Sequence, residues 1–136
     1  MLKRFSISLE NDLLKKFDIF INLRRYNNRS EAIRDLIRKS LIQDEWEADK
    51  EVIGVISLVY DHHQRQLQEK ITEAQHDFHH LIISTTHIHM DHDNCLEVII
   101  VRGYAQQVQS LAEQLQALRG VKDGNLAMSS TGGHLH

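Results

Sequence analysis

The sequence predicts an α+β protein with two domains in 136 residues. The first 40 residues give one short alternating strand and then two amphipathic helices. The rest gives strand, helix, strand, strand, helix and strand. Charge divides at the same place, because residues 1–40 hold ten Lys or Arg and five Asp or Glu, whereas residues 41–136 hold six and fourteen. A basic first part on an acidic second part indicates that only the first part meets a polyanion.

The first domain is predicted over residues 1–45. Its segment KRFSISL (3–9) alternates, with Phe5, Ile7 and Leu9 on one face and Arg4, Ser6 and Ser8 on the other, as in a half-exposed strand. A helix is predicted from about Asn11, and a second helix follows with Ser30 as its N-cap. One strand cannot bury an apolar face alone, so a second copy of the chain is expected to supply its partner strand.

The second domain is predicted over residues 52–130, after a charged linker at 46–51 and before a loose tail at 131–136. Strands are expected at 52–60, 81–90, 95–103 and 121–130, with helices at 61–80 and 105–120. Gly120 is expected to end the second of these helices. The order is that of the ferredoxin-like fold, also called ACT-like.

The stretch HIHMDHDNC (residues 87–95) contains the one cysteine of the chain. If His89 pairs with Cys95, then His87, His89, Cys95 and Glu97 share one face of the hairpin. Imidazole with thiolate suits nickel, copper, zinc or cobalt and not calcium or magnesium. The alternative is a polar hairpin with incidental histidines. We expect this face to be left open in a single chain, which argues for a second subunit on it.

Three ligands leave one position for water, substrate or another side chain. The helix at 61–80 offers five histidines, namely His62, His63, His76, His79 and His80, and spacing does not choose among them. His92 is predicted to be a surface turn residue. His134 and His136, in the tail, are expected to bind metal only weakly.

Composition excludes several classes of protein. A single cysteine excludes an internal disulfide framework. No secretory signal and no apolar run of membrane-spanning length is present, so we expect a cytoplasmic protein that does not enter a membrane.

The segment YNNRSEAIRDLIR (26–38), after an alternating strand, resembles the ribbon-helix-helix repressors. Together with TTHIHMDHDNCLEVI (85–99) it narrows the resemblance to the nickel-responsive transcriptional regulators, the NikR family. The resemblance implies one Ni²⁺ per subunit, bound in a plane by His87, His89 and Cys95 of one subunit and by His76 of a neighbour. Glu97 is a candidate for orienting a ligand imidazole.

The resemblance also implies a double-stranded DNA operator. Arg4, Ser6 and Ser8 match the positions of the strand that read bases, and Asn28, Arg29 and Ser30 match a phosphate contact at a helix start. The family places a cation at carboxylates that match Glu31 and Asp35, for which a plain surface role is the alternative.

The predicted function is therefore a nickel-dependent regulator that is not an enzyme, acts as a homotetramer (a dimer of dimers), and represses genes of nickel uptake or other nickel-related genes. The alternative is a metalloenzyme or metal-storage protein with an accessory basic domain. The absence of an obvious general acid or base beside the ligands argues against it.

Overall fold

The computed structural model describes residues 1–135, so His136 of the tail, for which weak metal binding was expected, lies outside the described residues. The chain divides into two compact units, Met1–Lys39 and the residues from Ser40 onward. This division falls inside a helix, whereas the sequence placed the first domain boundary after residue 45.

The first unit contains α1 (Asn11–Leu23) and the beginning of α2 (Arg29–Glu47). Residues 1–10 form neither helix nor strand, in contrast to the strand predicted at 3–9. A strand exists only where a neighbour accepts and donates its backbone hydrogen bonds, and a single chain supplies none there. Phe5 and Ile7 stay exposed as a result.

The start of α2 is capped by Asn28 and not by Ser30. The backbone N–H of Glu31 donates to Asn28 Oδ1 at 2.9 Å. Asn is as good an N-cap as Ser, and two adjacent candidates cannot be separated by residue type alone. The cap fixes α2 to begin at Arg29.

The second unit is one four-stranded antiparallel sheet with two helices. Its elements are β1 (Glu51–Asp61), α3 (Arg65–Asp77), β2 (Ile82–His89), β3 (Asn94–Tyr104), α4 (Ala105–Gln116) and β4 (Val121–Ser129). The strand order is β2-β3-β1-β4. This is the predicted ferredoxin-like arrangement.

Both helices of this unit are shorter than predicted. α3 occupies 65–77 of the predicted 61–80, and α4 ends at Gln116 and not at residue 120. Gly120 has a φ of 102°, a left-handed conformation that glycine adopts without strain. It therefore serves the turn into β4 and does not end the helix directly.

One face of the sheet carries the core. Burial alternates along β1, where Val52, Ile56 and Leu58 are fully buried. Leu111 and Leu115 of α4 cover them. Trp46, in the last turn of α2, joins the same core, and its Nε1–H donates to the Ser129 carbonyl at 2.9 Å. The end of α2 therefore belongs to the second unit.

The predicted metal face is the covered face of the sheet, so the expectation that it would be open was wrong. Ile99 and Val101, which share that face with Cys95, are fully buried within the chain. Strand parity shows which residues share a face but not which face the helices cover. The opposite face leaves Val55, Val98 and Ile100 only half-buried.

None of the helices in residues 1–135 combines the length and the apolar character needed to cross a membrane.

Candidate metal centre

The β2–β3 hairpin has the expected register, with His89 opposite Cys95 and His87 opposite Glu97. Its loop is held by the Asp91 carboxylate, whose Oδ1 accepts from the backbone N–H groups of Asp93 at 2.9 Å and Asn94 at 2.8 Å. The Asn94 side-chain amide and these backbone donors hold the pKa of Asp91 below its usual range. This local turn fixes the spacing that places the two strands' ligands on one face.

Cys95 and His89 form the soft part of the site. Cys95 Sγ lies 3.3 Å from His89 Nδ1. Cys95 is fully buried, whereas the imidazoles of His87 and His89 are exposed. Burial raises the pKa of the Cys95 thiol, and the negative charges of Glu97, Asp61 and Asp91 add to this effect. A thiolate there needs a compensating cation, which a bound metal would supply.

Glu97 lies beside the second imidazole. Its Oε2 is 3.1 Å from His87 Nδ1 and accepts from the Tyr60 hydroxyl at 2.8 Å. Its Oε1 accepts from Gln75 Nε2 at 3.3 Å. Burial and the hydrogen bond to Glu97 raise the pKa of Tyr60, so its hydroxyl remains a donor. A carboxylate that accepts from one imidazole nitrogen leaves the other nitrogen for a metal.

His76 lies in the last turn of α3 and is exposed. Within residues 1–135, it belongs to no group of side chains close enough to share an ion with His87, His89 or Cys95. Its ring instead stacks near His79, with ring centroids 6.0 Å apart. A single chain therefore brings three of the four predicted ligands to one face and leaves the fourth pointing elsewhere.

Sequence reasoning missed Tyr60 and Gln75 as partners of Glu97. The alternation of β1 already placed Tyr60 on the buried face, and Gln75 directly precedes His76. His62 was also left among five equivalent histidines, yet one of its donor atoms lies within 4.8 Å of those of His89 and Cys95. Contacts between a turn and a hairpin are not visible in spacing.

The other histidines among residues 1–135, apart from half-buried His62, are exposed. The His63 ring donates to the His92 carbonyl at 3.1 Å, and both side chains lie at the surface. His134 is exposed in the segment after β4. The hairpin face carries two imidazoles and one buried thiol, and Cys95 Sγ lies beside His89, whereas the donor atoms of His87, His89 and Cys95 do not all lie within 4.8 Å of one another. This donor set fits a late first-row metal and not calcium or magnesium.

The predicted DNA-reading side chains Arg4, Ser6 and Ser8 are exposed in residues 1–10. Asn28 is occupied as the cap of α2. Arg29 makes two hydrogen bonds to Asp18, both 2.9 Å long, which hold the pKa of Asp18 below its usual range. Ser30 is exposed.

The two carboxylates predicted to hold a cation have partners within the first unit. Glu31 pairs with Arg34. Asp35 accepts from the Tyr26 hydroxyl and lies 3.2 Å from Lys39 Nζ, and these contacts lower the pKa of Asp35.

Two family models together span nearly the whole chain. Residues 53–129 match the model described as the NikR C-terminal nickel-binding domain. The chain belongs to the NikR family. Residues 3–44 match the model of ribbon-helix-helix proteins of the copG family, and this match includes the segment 3–9 for which a strand was predicted.

Curated relatives agree over the full length of the NikR-family chain. A protein of Desulfotalea psychrophila, provisionally named a nickel-responsive regulator, is 68% identical over 136 residues and covers 100% of both chains. One of Syntrophus aciditrophicus, named likewise, is 55% identical over 95% of this chain and 94% of its own. An uncharacterized protein of Thermotoga maritima shares the fold, with a TM-score of 0.53 and 11% identity over 57% of this chain and 96% of its own.

The chain is thus a nickel-responsive, DNA-binding transcriptional regulator of two domains. The ribbon-helix-helix part binds DNA, and the ferredoxin-like part binds Ni²⁺.

Proposed function

We propose that this regulator represses genes of nickel uptake, or other nickel-related genes, by binding one Ni²⁺ per subunit at a site shared between two chains. The observation that supports this proposal is the distance of one predicted nickel ligand from the other three. His87, His89 and Cys95 share one face of the hairpin, whereas His76 is exposed on α3 and, within residues 1–135, is close to none of these three side chains.

A shared site makes nickel a link between subunits. The open face of the sheet, with half-buried Val55, Val98 and Ile100, is apolar enough to favour association of the second units. The first units need a partner for residues 1–10. Two different self-association surfaces in one chain support a dimer of dimers.

Glu97 is proposed to connect the two halves of this ligand set. It lies beside His87 and accepts from Gln75, the residue before His76. Binding of nickel at His87 would therefore bear on the α3 turn that presents His76 to another site. This is a coupling between sites through a contiguous set of hydrogen bonds.

On the DNA side, Arg4, Ser6 and Ser8 are proposed to read bases once residues 3–9 of two chains have paired. Asn28, Arg29 and Ser30 are proposed to position the phosphate backbone through the start of α2. Arg29 would have to exchange its contact with Asp18 for a phosphate. A cation at Glu31 and Asp35 would likewise compete with Arg34, Tyr26 and Lys39.

Nickel can change DNA binding only if it biases a two-state element. We assign that element to the linker at residues 43–51, which includes the end of α2 and the short connection to β1. We also propose that the protein acts in the cytoplasm, together with its operator DNA.

The alternative, a metalloenzyme or metal store, predicts a site that is complete in one chain and open to substrate. The experiment that separates the two mixes His76→Ala chains with Cys95→Ala chains by unfolding and refolding them together. Neither variant alone has an intact site. Random assembly of a shared site should restore high-affinity nickel binding to about one quarter of positions, since half of the hairpins and half of the α3 donors are intact.

The control is a mixture of His76→Ala chains with chains that carry both substitutions, which offers no intact His76. It should bind no nickel with high affinity. Mass spectrometry checks that mixed oligomers form. Mixed oligomers without restored nickel binding would return the fourth ligand to the same chain or to water.

A further inference from the structure

Asp18 and Arg29 form an ion pair between the two helices of the first unit. Asp18 lies on α1, and Arg29 is the first residue of α2. The Nε–H of Arg29 donates to Asp18 Oδ1 and its Nη2–H donates to Asp18 Oδ2, both at 2.9 Å. The other two ion pairs of residues 1–39 lie within α2, between residues three and four positions apart. Only the Asp18–Arg29 pair of these residues therefore joins one helix to the other.

The carboxylate of Asp18 occupies one of the two edges of the guanidinium that bind oxyanions through paired N–H groups. Carboxylate and phosphate are recognised by the same planar fork of donors. The two oxygens of Asp18 therefore stand where two oxygens of a phosphate would bind Arg29.

The start of α2, where a phosphate contact is proposed, is built by the same residue. Asn28 caps the helix, and its Oδ1 accepts from the backbone N–H of Glu31 at 2.9 Å. The backbone N–H groups of Arg29 and Ser30 precede this bond and have no helix carbonyl to donate to. A phosphate held by these N–H groups is within reach of the Arg29 guanidinium once that guanidinium leaves Asp18.

Both side chains of the pair are accessible to water, with 58% of Arg29 and 44% of Asp18 exposed. Exposed ion pairs contribute little to stability, because water and salt screen them. Exchange of the carboxylate for a phosphate therefore costs little free energy. While the pair is closed, the carboxylate cancels the positive charge that Arg29 would offer to DNA. The hydrogen bond from Arg29 lowers the pKa of Asp18, so this carboxylate is ionised at neutral pH.

We propose that Asp18 competes with DNA phosphate for Arg29 and thereby sets the affinity of the first unit for duplex DNA of any sequence. The inference rests on the proposed phosphate contact of Arg29. Because phosphate contacts carry no sequence information, Asp18 lowers the affinity for operator and for random DNA by one common factor. Arg4, in contrast, is proposed to read a base and changes the ratio of the two affinities. Asp18 limits non-specific binding, which is almost wholly electrostatic.

The opposite role for Asp18 is to hold the guanidinium in place while its second edge, Nη1 with Nη2, binds the phosphate. That role predicts that loss of the carboxylate weakens DNA binding. The charge of Asp18 argues against it, since a carboxylate close to a bound phosphate repels that phosphate.

The test is Asp18→Asn in the full-length, nickel-loaded protein, which removes the charge and keeps the size of the side chain. DNA affinity should rise about 1.5- to fivefold for each Arg29 contact, the range expected for an exposed ion pair. The dependence of affinity on salt should steepen by about 0.9 per contact. Fluorescence anisotropy over a range of salt concentrations measures both. The probes are a duplex of random sequence and a duplex that the protein selects from a randomised library, and both should show the same factor.

A double-mutant cycle shows whether Asp18 acts through Arg29. Asp18→Asn removes one negative charge in any background, and this change by itself strengthens DNA binding. If the carboxylate and the phosphate compete, the gain should be larger in the original chain than in Arg29→Ala. Equal gains in the two backgrounds would mean that Asp18 only repels DNA at a distance, and would overturn the proposal.

Asp18→Ser is the second variant, because it lacks the same charge but has a shorter side chain. It should strengthen DNA binding to the same extent, so a folding defect in one variant does not decide the result. Unchanged affinity in both variants would overturn the proposal. Weaker binding in both would also overturn it and would assign Asp18 the holding role.

Arg29→Ala separates this inference from the proposed function. It should weaken binding to both duplexes and flatten the salt dependence by about 0.9 per contact. If Arg29→Ala leaves DNA affinity unchanged, Arg29 is not a phosphate contact, and the proposed contact and the competition fail together. If Arg29→Ala weakens binding while both Asp18 variants change nothing, the competition alone fails and the phosphate contact stands.

Discussion

The two units of this chain differ in how much of their structure one chain can complete. In the unit from Ser40 onward, 16 buried side chains form one core. In Met1–Lys39 only Ile21 and Ala32 are buried. Phe5, Ile7 and Ile37 are at least half exposed, at 71%, 55% and 50%. The second unit therefore completes a core within one chain, whereas the first unit leaves apolar side chains exposed that a second copy would cover in the proposed assembly.

A charge on the first unit's apolar surface should have the largest effect. Ile37 lines a cavity of 580 Å³ with Phe5 and Ile7. Ile37→Asp should prevent the pairing of two first units, because a carboxylate would be buried without a partner. Operator affinity should fall to the level of random DNA, about a thousandfold or more. Gel-shift assays with operator and random DNA measure this.

The same variant should keep its nickel stoichiometry and affinity, since the second unit has its own core. Loss of both functions in Ile37→Asp would show that the two units do not fold independently.

Cys95→Ser should affect the second unit in the converse way. Cys95 is the one soft donor, and a hydroxyl is a poor replacement for it. Thiolate-to-nickel absorption should disappear. Nickel affinity should fall by about a hundredfold or more, because loss of a residue that only hydrogen-bonds to a ligand already costs about tenfold to a hundredfold. Binding to random DNA should be unaffected. The control is Ser84→Ala, on the other face of β2, which should leave the spectrum and the nickel affinity unchanged. If Cys95→Ser kept the original spectrum, the nickel site would lie elsewhere in the chain.

Glu97→Gln should weaken nickel binding by about tenfold, a typical cost for removing a group that orients a ligand imidazole. The amide keeps the size of the side chain but lacks the charge that attracts His87 Nδ1–H. Titration with chelators gives the affinity, and Glu73→Gln, at an exposed position of α3, is the matched control. Equal effects of the two substitutions would mean that only net charge matters at this site.

Arg4→Ala tests whether the paired strands read bases. Loss of a bidentate contact to guanine costs about 1–3 kcal/mol at that base. Lys3→Ala should instead weaken binding to all sequences alike and reduce the salt slope by about one. Binding to operator and random DNA over a range of salt concentrations separates the two roles. An equal loss on both DNAs for Arg4→Ala would make it a phosphate contact.

Two local rules were informative about the second unit. Strand parity gave the face shared by His87, His89, Cys95 and Glu97, and the element order gave the sheet. Sequence reasoning failed where the deciding contact is distant in sequence. Which face the helices cover depends on α3 and α4 together, and the approach of His62 to the hairpin depends on how one turn lies against a loop.

The smallest predicted effect concerns the hairpin loop, which the second unit builds without help. Hydrogen bonds from Asn94 and Asp93 lower the pKa of Asp91, so they stabilise the fold while its carboxylate is ionised. That contribution is fully present above the unfolded pKa of about 3.9 and is lost as pH falls through the lower folded value.

Asp91→Asn keeps an acceptor oxygen but removes the charge. In metal-free protein, the thermal midpoint of Asp91→Asn should lie slightly below that of the original chain at pH 5–7, and the two midpoints should converge as pH falls below about 4. All other carboxylates titrate alike in both proteins, so the difference isolates Asp91. A difference that is constant from pH 7 to pH 3 would mean that the charge at Asp91 does not stabilise the loop, and that the amide geometry of the substitution accounts for the change.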